Sequence, residues 1–189
     1  IERLPHFQHE NPSMSVQIVT REFTEPYRPN EADVAVLYGR GDWPNCVSVM
    51  LLKETILPVC SPRLLLGDPL KTLFSNKLLH DDNLGTTWEE WLDFARIGID
   101  QGRRADSLYG LHFNHSHLAL QAAEQGGGVL LASRPLVIDA LREGRLAAPF
   151  NQELDTGHGY FLVQSPEPER QKRSILLASW LWAQCGLQG

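Results

Sequence analysis

The chain is short of positive charge, of paired cysteines and of long apolar runs, and each shortage removes a class of function. Lys and Arg number 17 against 23 Asp and Glu, for a formal charge of -6. A protein that grips nucleic acid by itself neutralises phosphates with clustered Lys and Arg, so any DNA contact has to come from elsewhere. Cys46, Cys60 and Cys185 are odd in number and far apart. They lack the spacing of a zinc site or a redox motif, so reduced thiols of a cytoplasmic protein are expected, with no metal and no cofactor. No apolar run approaches the roughly 20 residues that span a bilayer. The opening Ile1-Glu2-Arg3-Leu4-Pro5 does not have the form of a signal peptide. A soluble, cytoplasmic chain without a membrane partner is the expectation. No nucleophile elbow, Walker loop, long internal repeat or low-complexity segment appears, and no enzyme activity is expected.

What is present is enough apolar material for a core. The chain has 189 residues, 42% of them hydrophobic, which allows one large or two small domains. The richest stretch is Phe113 to Ser133, FNHSHLALQAAEQGGGVLLAS. Asn114, His115 and Ser116 precede a run with Leu118, Ala119, Ala122 and Ala123 on one face, the pattern of a helix N-cap. Gly126 suits the left-handed position just past a helix, and Val129-Leu130-Leu131-Ala132 is short and apolar enough for a buried parallel strand. In open α/β sheets, ligands bind where strand carboxyl ends meet helix starts, so the amides near Ser116 are a candidate contact; simple capping by Ser116 is the competing reading.

The rest of the chain alternates between the two periods. A helix tail is expected over Ile1 to Glu10 with Leu4 and Phe7 inward, then strands over Ser15 to Thr20 and Asp33 to Tyr38. Val47 to Cys60 and Gly159 to Gln164 are extended runs, the first long enough to belong to two sheets. Ser61-Pro62 and Ser165-Pro166 each look like a cap followed by a helix-opening proline. Pro69 to Phe74 reads as a short helix and Lys77 to His80 as a strand. Thr87 and Glu90 fit a capping box, with Trp88, Trp91, Leu92 and Ala95 at helical spacing up to a stop at Gly98. Leu108 to Phe113 is a strand, Arg134 to Gly144 a helix, Leu146 to Ala148 a brief strand, and Glu167 to Gln184 a helix with Ile175, Leu176, Ala178, Ser179, Leu181 and Trp182 inward. Alternating strands and helices of this kind mark a parallel α/β sheet.

The central block, followed by Arg134-Pro135-Leu136-Val137 and Gly144-Arg145-Leu146, resembles the effector-binding domain of LysR-type transcriptional regulators, near the branch with the glycine-cleavage and β-lactamase regulators. Arg3-Leu4-Pro5, Asp33-Val34-Ala35, Tyr38-Gly39, Pro58 to Pro62, His80-Asp81-Asp82 and Tyr160 to Val163 agree in order and spacing. The resemblance implies an α/β fold of two Rossmann-like subdomains joined by two crossing strands, like type 2 periplasmic binding proteins. Subdomain I would be 1–57 and 162–189, and subdomain II 58–161. It implies a small-molecule effector in the cleft between them, contacted by Tyr38, Gly39, Val59, Cys60, His115, Ser116, Gly159 and Tyr160. It also implies a homodimer or higher homo-oligomer, with the helix of Ile1 to Glu10 and that of Leu118 to Gln125 in the contact. DNA would be bound only through a winged helix-turn-helix that lies N-terminal to this domain in the family. One departure is visible: the family's domain opens with a central strand ahead of the helix at Ile1, so the first subdomain is expected to lack that strand and one pocket contact.

Two other readings stay open. A solute-binding protein of a transport system would share fold and cleft. A small α/β enzyme is suggested by His112, His115 and His117 and by His80-Asp81-Asp82, although a metal site needs three or four converging ligands. Trp88 and Trp91 at three-residue spacing read as core rather than an aromatic cage, and Arg103-Arg104 as a solvated loop.

Overall fold

Strand β2, Val47–Val59, is thirteen residues long and is shared by both halves of the chain. The computed structural model describes residues 3–20, 27–29, 31–98 and 110–186. It divides into two compact units, Ile1–Lys53 with His158–Gly189 (unit 1) and Glu54–Gly157 (unit 2). The divisions fall inside β2, between Lys53 and Glu54, and inside β6, Leu154–Gln164, between Gly157 and His158, each four residues ahead of the 57/58 and 161/162 bounds that the resemblance implies. β6 also starts before Gly159, where the sequence predicts its extended run to begin.

In unit 2 the sheet order is β2-β5-β3-β4, with β3 spanning Leu78–Asp81, β4 Gly110–Phe113 and β5 Val129–Ser133. β3 is parallel to β4 and to β5, and β2 runs antiparallel to β5. Every residue of β5 is buried, so both faces of this sheet are covered. The two-residue period sorts the side chains. Ile56, Leu78, Val129 and Leu131 join one core cluster, and Leu57, Leu79, Leu130 and Ala132 the other. Helix α3, Trp88–Phe94, closes the first face with Trp88, Trp91 and Leu92. Helices α4, Ser116–Glu124, and α5, Arg134–Arg142, close the second with Ala119, Ala123, Val137 and Ala140. The Thr87–Glu90 capping box is present in both directions. Helix α2, Pro69–Ser75, starts at Asp68, whose carboxylate accepts from the Lys71 amide at 2.9 Å.

Unit 1 holds helix α1, Leu4–Glu10, strand β1, Ala35–Gly39, the unit 1 parts of β2 and β6, and helix α6, Pro168–Gly186. β1 is antiparallel to β6, which neighbours β2. Phe7 is buried as expected and meets the Trp180 ring at 5.2 Å. Arg3 Nη1 donates to Gln184 Oε1 at 3.2 Å.

Several expectations need correction. Ser15 to Thr20 forms no strand: Ile18 and Val19 are exposed, and alternation without a paired neighbour does not make a ladder. Helix α3 stops at Phe94, not at Gly98, because Arg96 adopts φ 57° and the Ile97 amide turns back to the Leu92 carbonyl at 3.0 Å. The same closure ends α4 and α5, but there the left-handed residue is Gly126 or Gly144, which is why only those two stops were legible. Ser61 caps nothing with its side chain, and Pro62–Leu64 is one 3-10 turn. Leu146 to Ala148 contributes one bridge, Ala147 to Cys60, instead of a strand. On α6, Ile175, Leu176, Ser179 and Trp182 are exposed, whereas Ser174 is buried and bonded to Gln164. Trp180 against Phe7 sets the rotation of that helix, and apolar spacing alone does not. Arg103-Arg104 and most of the loop from Arg21 to Asn30 lie outside the described residues.

Trp91 is fully buried, edge-on to Phe150 at 5.2 Å, and its Nε1 has no partner among the described residues. Trp91→Ala should therefore lower unfolding free energy by about 3–5 kcal/mol. Trp91→Phe should cost clearly less, since the indole N–H it removes makes no hydrogen bond among the described residues. Urea unfolding of the two variants checks this; equal losses would contradict it.

Candidate functional site

Because β3, β4 and β5 are parallel, their carboxyl ends share one edge of the unit 2 sheet, and two helix starts follow from that edge. α4 begins at Ser116 with His115 as N-cap, and α5 at Arg134 with Ser133 as N-cap. Neither cap residue bonds the helix through its side chain. Ser116 is thus the first residue of its helix and not the cap, and the leading amides of α4 find no acceptor in the cap side chain. Ser133 Oγ is buried and without a partner among the described residues.

A groove of about 260 Å³ opens beside β3 and β4, lined by His80, Asp81, Asp82, Thr86, Thr87, Trp88, His112 and Leu131 among others. Its floor follows from register. His80 is paired with His112 across the parallel ladder, and their rings stack at 4.3 Å with 6° between planes. His112 Nδ1 lies 3.0 Å from Asp82 Oδ1, and Trp88 Nε1 donates to the Leu79 carbonyl at 3.0 Å. His115 and His117 do not line this groove, and their own rings lie 5.6 Å apart. Among the described residues no three His, Cys, Asp or Glu side chains gather as metal ligands would.

Register also separates residues that the sequence placed together. β2 runs against β5, so Ile56 is opposite Ser133 while Val59 is opposite Leu130, near the amino end of β5. Cys60 bridges Ala147 in both directions, at 2.9 and 2.8 Å. Val59 and Cys60 are both fully buried and lie at the other end of the sheet from His115 and Ser116. The portion of β2 that reaches the carboxyl edge is Glu54 to Ile56, which carries no motif in the sequence. There Thr55 Oγ1 donates to Glu153 Oε2 at 2.6 Å, Arg134 Nη1 binds Glu153 Oε1 at 2.6 Å, and Thr156 Oγ1 donates to Glu54 Oε2 at 2.9 Å. The direction of β2 is the missing signal, and periodicity does not contain it.

In unit 1, Tyr38 and Tyr160 face each other across β1 and β6, with ring centroids 5.4 Å apart. Gly39 and Gly159 are also opposite each other. A side chain at Gly39 would meet the Trp43 ring at 3.0 Å, and one at Gly159 would meet the Leu52 carbonyl oxygen at 2.6 Å. These two glycines are explained by close packing.

The LysR substrate binding domain family model matches residues 1–186. The chain is 33% identical over 193 residues to the glycine cleavage system transcriptional activator of Escherichia coli (strain K12), covering 100% of this chain and 61% of that protein. It is 34% identical over 190 residues to the HTH-type transcriptional regulator TrpI of Pseudomonas aeruginosa, covering 96% of this chain and 61% of that protein. Among solved structures it is similar to the effector domain of the transcriptional regulator AmpR of Pseudomonas aeruginosa. The TM-score is 0.73 and the identity 22%, over 99% of this chain and 89% of that one. That likeness shows the fold, a type 2 periplasmic-binding-protein-like α/β architecture. The chain spans about three fifths of the length of the two curated relatives, at 61% of each. No helix among the described residues is long and apolar enough to cross a membrane.

Three measurements check the placement of Cys60 and Gly159. Burial pushes the Cys60 thiol up to about 11, so alkylation of the native chain at mildly alkaline pH should label Cys46 and Cys185 and spare Cys60 until the chain is unfolded. Because the folded state holds that proton, stability should fall as pH rises from the ordinary thiol range toward 11, and Cys60→Ala should remove this share of the loss. Gly159→Ala should destabilise by about 1–3 kcal/mol in thermal or urea unfolding, since the methyl group would press on main chain that has nowhere to yield.

Proposed function

The chain belongs to the LysR substrate-binding domain family, and from that membership we propose that it is the sensing part of a bacterial transcriptional regulator, binding a small metabolite. The observation that carries this reading is the start of α4, where a strand end delivers His115 and Ser116 to a helix whose first amides find no acceptor in the cap side chain. Backbone N–H groups at such a helix start favour an anion or a polar group, and the Ser116 hydroxyl adds one adjustable donor and acceptor. His115 and Ser116 are the effector contacts of unit 2 in this reading. Tyr38 and Tyr160 are the contacts that unit 1 offers, whereas Val59, Cys60 and Gly159 act through packing.

The full-length regulator, in this reading, works in the cytoplasm as a homodimer or higher oligomer, with α1 and α4 in the contact between copies. It binds DNA through a segment outside this chain, in keeping with the charge of -6, and it catalyses no reaction. Effector binding acts by preferring one arrangement of the domain over another, and the differential affinity sets how far the population moves.

A ligand screen by thermal shift with amino acids, sugars and peptidoglycan fragments tests the reading. A ligand present at about 100 times its Kd adds about 2.7 kcal/mol. In a domain of this size that raises Tm by roughly 5–10 °C. Ser116→Trp should abolish the shift while leaving the ligand-free Tm within a few degrees of wild type. An unchanged dose response in that variant would overturn the placement of the site.

A further inference from the structure

The face of the β1–β6 ladder that carries the two tyrosines also carries a cation and an imidazole. Alternation puts residues 38 and 40 on one face of β1, and 158 and 160 on one face of β6. Continuing the register one step beyond Gly39 and Gly159 sets Arg40 opposite His158, and the contacts agree. Arg40 Nε donates to His158 Nε2 at 3.4 Å, and the His158 ring stacks on Tyr38 at 5.6 Å with 15° between planes. The turn that follows is pinned: Gly41 has φ 96°, its carbonyl accepts from Ser48 Oγ at 2.6 Å, and a side chain at Gly41 would meet Phe161 at 2.7 Å. Arg40 therefore leaves the strand from a fixed point.

The charge around Arg40 is the informative part. Arg134, Arg142, Arg145, Arg170 and Arg173 each have a carboxylate within ion-pair distance. Among the described residues Arg40 has none, as Arg63 and Arg96 have none, and what sets Arg40 apart is that its contact is an imidazole. A guanidinium bonded through Nε keeps both Nη groups as a planar fork, the shape that matches a carboxylate with two parallel hydrogen bonds. His158 receives that Nε–H, which requires an unprotonated Nε2, so it orients the fork without adding a competing charge. The tyrosine rings supply apolar walls on the same face.

We propose that Arg40, positioned by His158 beside Tyr38 and Tyr160, takes the carboxylate of a small organic acid and makes this chain select acids over their neutral amides. The proposal rests on the sensing function above and names the chemical class of the effector. The test is a titration of the chain, labelled with 15N at its arginine side chains, with benzoate, phenylacetate and the common amino acids, each set against its primary amide. At least one acid should move the Arg40 side-chain resonances and bind about tenfold or more tightly than its amide, a difference of about 1.4 kcal/mol. Arg40→Met should erase the preference, Arg40→Lys should retain only part of it because the fork is lost, and His158→Phe should weaken acid binding while keeping a ring against Tyr38. If no acid moves Arg40, or if Arg40→Met binds acid and amide as wild type does, the proposal is overturned. Binding that ignores Arg40 but disappears in Ser116→Trp would sink this inference and leave the sensing reading standing.

Discussion

Double-sided burial of the unit 2 sheet is the constraint on which the rest of that unit depends. β5 has no exposed residue, and its neighbours send alternate side chains into two separate cores, one under α3 and one under α4 and α5. A slip of one residue in any of these strands would exchange the two sets, putting Leu79 where Leu78 belongs and Ala132 where Leu131 belongs. Each apolar side chain fully buried contributes about 1.5–3 kcal/mol, so such a slip is heavily disfavoured. The same register fixes which residues stand at the carboxyl edge. His80 meets His112, and His115 and Ser133 become the positions where the chain turns into a helix.

Much of this was legible in the residues themselves. The capping box at Thr87, the buried tryptophans behind it, the glycine stops at Gly126 and Gly144 and the two long extended runs are all local signals, and local physics produces them. What was not legible has a common cause. The end of α3 is made by a left-handed arginine, which no propensity scale marks as a stop. The buried face of α6 is set by Trp180 meeting Phe7, a contact across most of the chain. The direction of β2 against β5 decides that Ile56, and not Val59 or Cys60, lies beside Ser133. Each of these is a long-range choice between alternatives that look alike along the sequence.

The candidate binding residues divide in the same manner. Ser116 was found by its place before an apolar helical run, and Tyr38 and Tyr160 through the family pattern. Arg40 and His158 carried no motif, and only strand pairing makes them neighbours. The LysR substrate-binding family relation supplies the frame, while the chemistry of this chain is written in side chains that the frame leaves open.

Gly39 packs tightly under Trp43, since a Cβ at the first would stand 3.0 Å from the ring of the second and the ring would have to give by a few tenths of an ångström. Descendants of this chain can enlarge position 39 if the ring at position 43 shifts or shrinks, so the two sites should drift as a pair. Gly159 has no such companion, because a main-chain carbonyl stands in its way and cannot mutate. Of these two facing glycines, the first meets a side chain that can be traded and the second a backbone that cannot.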